Sequence, residues 1–267
     1  MPVCGYDIWL LSSRQRLSPE QYLVACPQEE PGQDGFRLEA GGTSYGLALD
    51  KQGRFDPNRP CVFLMHLGDG NTRCGVYHER PVVCRAYPMS IWAGKMSFLE
   101  KALCPPNSWP QREAERPGWR LAVQHLYMQH DIYHEVVARW NARIDISAIG
   151  NRHSLQEYFS YVLNVYEKLE RLAAELGPDS MERVRDSWQT APRSEIDEDE
   201  LLIRGAESPW LNYLLKARQI IDAFYAHIPS QPILALMPSN LRAAASDVDG
   251  LRKAKKSSVT PMKSASH

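Results

Sequence analysis

The 267-residue chain has almost no net charge, no cysteine in its last 163 positions and no long apolar run. Each of these absences removes a class of function. Lysine and arginine number 31 against 32 aspartate and glutamate, a formal charge of −1, so no overall field draws the protein to nucleic acid or to an anionic membrane. No stretch approaches the ~20 consecutive apolar residues that a membrane-spanning helix needs. The opening Met1-Pro2-Val3-Cys4-Gly5 lacks the basic segment and apolar run of a secretory signal, and the expectation is a soluble, cytoplasmic protein. A phosphate-cradling glycine loop, a dinucleotide fingerprint and a Gly-x-Ser-x-Gly elbow are also missing, which leaves nucleotide-dependent and serine-hydrolase chemistry without support.

What is present is a set of six cysteines crowded into the first 104 residues: Cys4, Cys26, Cys61, Cys74, Cys84 and Cys104. In a reducing compartment, clustered thiols serve as metal ligands or redox groups more often than as disulfides. Four thiolates in tetrahedral arrangement suit zinc or an iron–sulfur cluster, and Arg80 and Arg85 beside Cys84 would favour the deprotonated thiols. The opposing reading is a group of buried free thiols acting as small hydrophobes. No Cys-x-x-Cys knuckle is present, so a structural zinc ribbon is disfavoured, and widely separated ligands are compatible with iron–sulfur ligation.

The chain divides by texture. Residues 1–112 are broken by Asp34-Gly35, Gly41-Gly42, Asp56-Pro57-Asn58 and Gly68-Asp69-Gly70 into short pieces, with short strands expected at 44–49 and 61–64. A segment with so little periodic structure would draw folding energy from a bound metal. Residues 113–240 read as helical. Apolar positions at helical spacing predict a helix over 118–142. Ser154 with Glu157 forms a capping box ahead of a second helix, 155–176, which Gly177-Pro178 ends. A shorter helix is expected near 180–189, and another over 199–226 with Ser208-Pro209 restarting its second half. The tail, 241–267, is rich in Ala, Ser and Lys and reads as disordered. The fold class expected is α-rich (α+β), with a small irregular metal-stapled region packed on a helical one.

The run Cys61-Val62-Phe63-Leu64, Cys74-Gly75-Val76-Tyr77 and Glu79-Arg80-Pro81-Val82-Val83-Cys84-Arg85-Ala86-Tyr87-Pro88, followed by Cys104-Pro105, resembles the CxxCxxCC cysteine-cluster family. That family, also called YkgJ-type, is described as zinc- or iron-chelating and includes flagellin lysine N-methylase-like members. The resemblance covers 61–104 and extends more weakly to Cys4-Gly5-Tyr6-Asp7-Ile8-Trp9-Leu10. It implies metal ligands at Cys61, Cys74, Cys84 and Cys104, with Cys4 joining them, and a [4Fe–4S] cluster or zinc as cofactor. The chain departs from the family at its start, where several closely spaced cysteines are reduced to Cys4. Cys26 matches no ligand position and reads as an incidental thiol. Protein-lysine methyl transfer and a non-catalytic zinc-stapled module, with a protein partner, are the alternative functions. No S-adenosylmethionine-binding motif accompanies the first.

Two further patterns compete with the cysteines. His130 and His134 stand at i and i+4 on the predicted helix, the spacing used by two-histidine metal sites. Asp131 replaces the glutamate of the zincin motif and no third ligand is evident, so an exposed polar helix face is the plainer reading, for these two and for His125. Trp119, Tyr127, Tyr133, Trp140, Tyr158, Tyr161 and Tyr166 recur near helical spacing and read as packing residues rather than a platform for bases.

Overall fold

The computed structural model describes residues 2–30, 32–52, 59–92, 95–98, 116–146, 151–191 and 208–225, all within one compact unit, Met1–Pro229. Cys104, the acidic run Glu195 to Glu200, the first part (199–207) of the helix expected over 199–226 and the basic tail lie outside them. The fold is a helix-rich mixture of α and β, with six helices and three small antiparallel sheets among the described residues.

The helices are α1 (Gly5–Gln15), α2 (Val82–Ala86), α3 (Arg116–Ile146), α4 (Leu155–Leu176), α5 (Pro178–Thr190) and α6 (Pro209–Tyr225). The strands are β1 (Leu23–Pro27), β2 (Phe36–Arg37), β3 (Ser44–Leu49), β4 (Leu64–His66), β5 (Thr72–Cys74), β6 (Met89–Trp92) and β7 (Lys95–Phe98). The first sheet has the order β1-β3-β2, and β4–β5 and β6–β7 are two-stranded. The expected strand at 61–64 begins later, at Leu64, because Cys61 turns the chain: its carbonyl accepts from Leu64 N–H at 2.9 Å.

Local chemistry sets the helix limits. Ser154 Oγ accepts from Glu157 N–H at 3.1 Å and Glu157 Oε2 accepts from Ser154 N–H at 2.6 Å, so two otherwise orphaned donors are satisfied and α4 starts where the sequence says it should. Its end is equally local: Gly177, at φ +77, adopts a backbone conformation that side chains disfavour, and Pro178 begins α5. Helix α1, by contrast, occupies a stretch expected to be irregular. Cys4 stands at its N-cap with Asp7 at the third position, a capping arrangement with a thiol in place of a hydroxyl.

The main core joins the two halves of the chain. Ile8 and Leu11 of α1, Phe36, Leu47 and Leu49 of the sheet, Ile132, Val136 and Trp140 of α3, and Val162, Val165 and Leu169 of α4 are all buried in one cluster. Its centre is aromatic: Phe36 stacks on Tyr158 with ring centroids 3.9 Å apart, and Trp140 meets Tyr158 and Tyr161 at 5.1 and 5.4 Å. Buried polar atoms are paired across the same seam. Trp140 Nε1 donates to Arg37 O at 2.7 Å, Asn141 Oδ1 accepts from Arg37 N–H at 2.9 Å, and Tyr133 and Tyr158 share a 2.8 Å hydroxyl bond. Helices α5 and α6 close the other side through Trp188 Nε1 on Asp131 Oδ2, 2.7 Å, and through Arg218 on both oxygens of Glu135, 2.9 and 2.7 Å.

Candidate metal centre

Three of the proposed ligands lie near the junction of the β4–β5 hairpin with α2, where Cys61 and Cys74 are close enough to act electrostatically on Cys84 without forming a three-ligand arrangement among the described residues. Cys61 precedes the hairpin and is bridged to Lys51. Cys74 ends β5 opposite Leu64, and Gly75 N–H on Phe63 O at 2.8 Å extends the pairing. Cys84 sits within α2, its N–H on Pro81 O at 2.9 Å. All three are half-buried. The Cys84 thiol is pushed up to about 12 by burial first, then by Asp7, Cys61 and Cys74. A thiol whose ionisation is disfavoured by burial and by neighbouring thiols and a carboxylate sits in the electrostatic setting that a bound cation reverses.

Cys4 lies deeper, fully buried at the start of α1. Its thiol donates to Asp7 Oδ2 at 3.5 Å, and its backbone N–H donates to the same oxygen at 3.1 Å. Burial, followed by Asp7, holds the thiol well above its ordinary range. Asp7 Oδ1 takes Val82 N–H, at the start of α2, at 2.7 Å. One carboxylate, 1% exposed, thus fastens the first turn of α1 to the first turn of α2. Burial raises its pKa to about 6 against the lowering effect of those hydrogen bonds. Sequence reasoning did not single out Asp7. Its signal was the third position after Cys4, where a helix N-terminus favours a carboxylate.

The chain must also come close where α1 meets α4. A Cβ on Gly5 would run into the Tyr166 ring, so only glycine permits this approach. The Tyr166 hydroxyl is buried with no hydrogen-bond partner among the described residues.

The other singled-out residues have plainer positions. Arg85 donates from Nε to Arg80 O at 2.8 Å and from Nη2 to His78 O at 3.3 Å, which staples the 78–80 turn against α2. The Arg80 guanidinium lies 4.4 Å above the Tyr77 ring. Cys26 is exposed on β1, opposite Gly46 of β3. Among the described residues no three His, Cys, Asp or Glu side chains are arranged to hold an ion between them, and no helix is long and apolar enough to cross a membrane. A surface cavity between α4, α5 and α6 is lined by Leu176, Arg183, Ser208, Tyr213 and Lys216; no cysteine reaches it.

His125 borders this region from α3, its ring 5.1 Å from Tyr6 and its Nε2 3.3 Å from Gln129 Nε2. Burial, helped by Arg85 and Arg185, lowers its pKa from 6.5 to about 4. The unfolded chain therefore takes up more protons between these values, so the stability contributed by the neutral ring is full above pH 6.5 and lost as pH falls through 4. The shift corresponds to at most about 3 kcal/mol, reduced to about 2 kcal/mol by partial exposure. Between pH 7 and pH 4, wild type should lose about 2 kcal/mol more than His125→Gln in urea unfolding. Equal losses would refute this assignment.

Compared with protein-family models, with curated proteins and with solved structures, the chain matches none.

Proposed function

We propose that this chain is a metal-binding cysteine-cluster protein of the YkgJ type, holding a [4Fe–4S] cluster or zinc on Cys61, Cys74 and Cys84, with Cys104 and Cys4 as the remaining candidates. The observation that supports the reading is the half-buried Cys84 thiol, whose ionisation is disfavoured by Cys61, Cys74 and Asp7 near the hairpin–α2 junction. Soft sulfur donors suit both cofactors. An iron–sulfur cluster would supply one-electron chemistry and zinc a covalent staple. The protein's own contribution is positional. The hairpin holds Cys61 and Cys74, α2 holds Cys84, and Asp7 and Arg85 fix α2 in place. Thiols kept reduced for metal binding belong in a reducing compartment, which accords with a cytoplasmic protein.

The test is anaerobic purification followed by visible absorption and analysis for iron, zinc and sulfide. One cysteine-held centre per chain is expected, with Cys61→Ser, Cys74→Ser and Cys84→Ser each losing most of its metal and Cys26→Ser keeping it. Broad visible absorption with iron and sulfide identifies the cluster, and colourless stoichiometric zinc identifies the staple. Reduced protein free of both, or a cluster or stoichiometric zinc retained when all three substitutions are combined with His130→Gln and His134→Gln, overturns the reading.

A further inference from the structure

The stretch of α3 from His130 to Glu135 has its polar side chains committed to neighbours, with two exceptions. Asp131 accepts from Trp188, Tyr133 shares its hydroxyl bond with Tyr158, and Glu135 holds Arg218. His130 and His134 make no hydrogen bond among the described residues. Both are half-buried, one helical turn apart, with ring centroids 6.1 Å apart and planes inclined at 61°. Neither ring contributes a buried unpaired nitrogen, so the arrangement leaves their nitrogen lone pairs available to water or to an ion. Asp34, on the turn before β2, is close enough to favour the charged form of both rings.

We propose that His130 and His134 form a second metal site, a two-imidazole chelate for a divalent transition ion such as Ni2+, Cu2+ or Zn2+, with the Asp34 carboxylate supplying charge beside it. Imidazole is the donor that suits these ions, and i, i+4 spacing sets two rings on one helix face. Metal–nitrogen bonds of about 2.0–2.1 Å require ring nitrogens about 3–3.5 Å apart, which rotation about the side-chain bonds provides from the observed separation. Both rings are held towards the neutral, ligand-competent form, chiefly by burial. With no third protein ligand closing on the pair among the described residues, the remaining coordination positions fall to water or to a bound molecule, which makes this an open site. It does not depend on the cysteine centre.

The experiment is a Ni2+ titration of the reduced full-length protein under argon, read by calorimetry and by NMR of the ring resonances of its eight histidines. Paramagnetic Ni2+ broadens the rings that ligate it, so His130 and His134 should broaden first, while His66 and His78, on the cysteine side of the molecule, stay sharp. Substituting His130→Gln or His134→Gln should weaken Ni2+ binding at least about tenfold, Asp34→Asn should weaken it less, and His66→Gln should leave it unchanged. All four positions are exposed or half-buried, and circular dichroism confirms that each variant folds. Broadening of His66 and His78 alone, broadening without selectivity, or unchanged affinity in the His130→Gln/His134→Gln double variant overturns the proposal.

Discussion

Replacing Asp7 by Ala should lower stability by about 3–4 kcal/mol, and Asp7→Asn by about 2–3 kcal/mol. The carboxylate serves two backbone donors that begin two different helices, Cys4 N–H and Val82 N–H, at 3.1 and 2.7 Å, besides the Cys4 thiol. Alanine orphans both N–H groups in the interior, where each unsatisfied donor costs about 1–3 kcal/mol. Asparagine keeps one accepting oxygen, but its NH2 must then oppose the other donor. Relief of carboxylate burial offsets part of each loss, since the raised pKa of about 6 reports an ionised form that is itself disfavoured. The check is the urea midpoint at an unchanged denaturant slope. Because Asp7 positions α2, both variants should also load less metal although every cysteine remains. An unaltered midpoint in Asp7→Ala would remove Asp7 from its structural role.

Trp140→Ala should cost about 3–5 kcal/mol, a large share of the ~5–15 kcal/mol that separates folded from unfolded states. The indole is fully buried, packs against Tyr158, Tyr161 and His153, and donates to Arg37 O. Alanine leaves a cavity at the point where the sheet meets α3 and α4 and strands the Arg37 carbonyl. Trp140→Phe refills most of the volume and loses only the N–H, so its cost should fall to about 1–2 kcal/mol. If the two substitutions cost the same, the hydrogen bond rather than the packing holds this seam. Thermal unfolding of both variants beside wild type measures the difference.

The helical half was legible because its signals are local. Ser154, Glu157 and Gly177-Pro178 bracket α4, and the apolar spacing from Val123 to Trp140 marks α3. The aromatic residues of that half are the packing groups their spacing implied. Helix α1 was hidden by the same logic. Its N-cap is Cys4, a residue with no capping signature, and Gly5 sits where a glycine suggests a turn. Gly5 is there for another reason, the Tyr166 ring against it, and no local pattern reveals a contact with a residue so distant in sequence. The same holds at the candidate site. Cysteine crowding suggested a metal and the family resemblance implied Cys61, Cys74 and Cys84, yet Asp7, which joins two helices near Cys84, becomes visible only once α1 and α2 lie side by side. The arginines were read as tuning groups, whereas Arg85 spends donors on the carbonyls of Arg80 and His78, a role that depends on the shape of a turn.

The seam between the first fifty residues and the distant helices also sets a timetable. Trp9 bonds to Glu167 across 158 residues of chain, and Arg37 to Asp145 across 108. Such long-range closures form slowly and cannot begin until the ribosome has made both partners. At synthesis rates of about 5–20 residues per second, the first cysteine waits about 10–30 s for the helix that covers it. Throughout that interval the amino-terminal thiols are open to oxidants and to metal donors alike. Burial comes last, so Cys4, the thiol that the finished core makes inaccessible, spends longest in the open during synthesis.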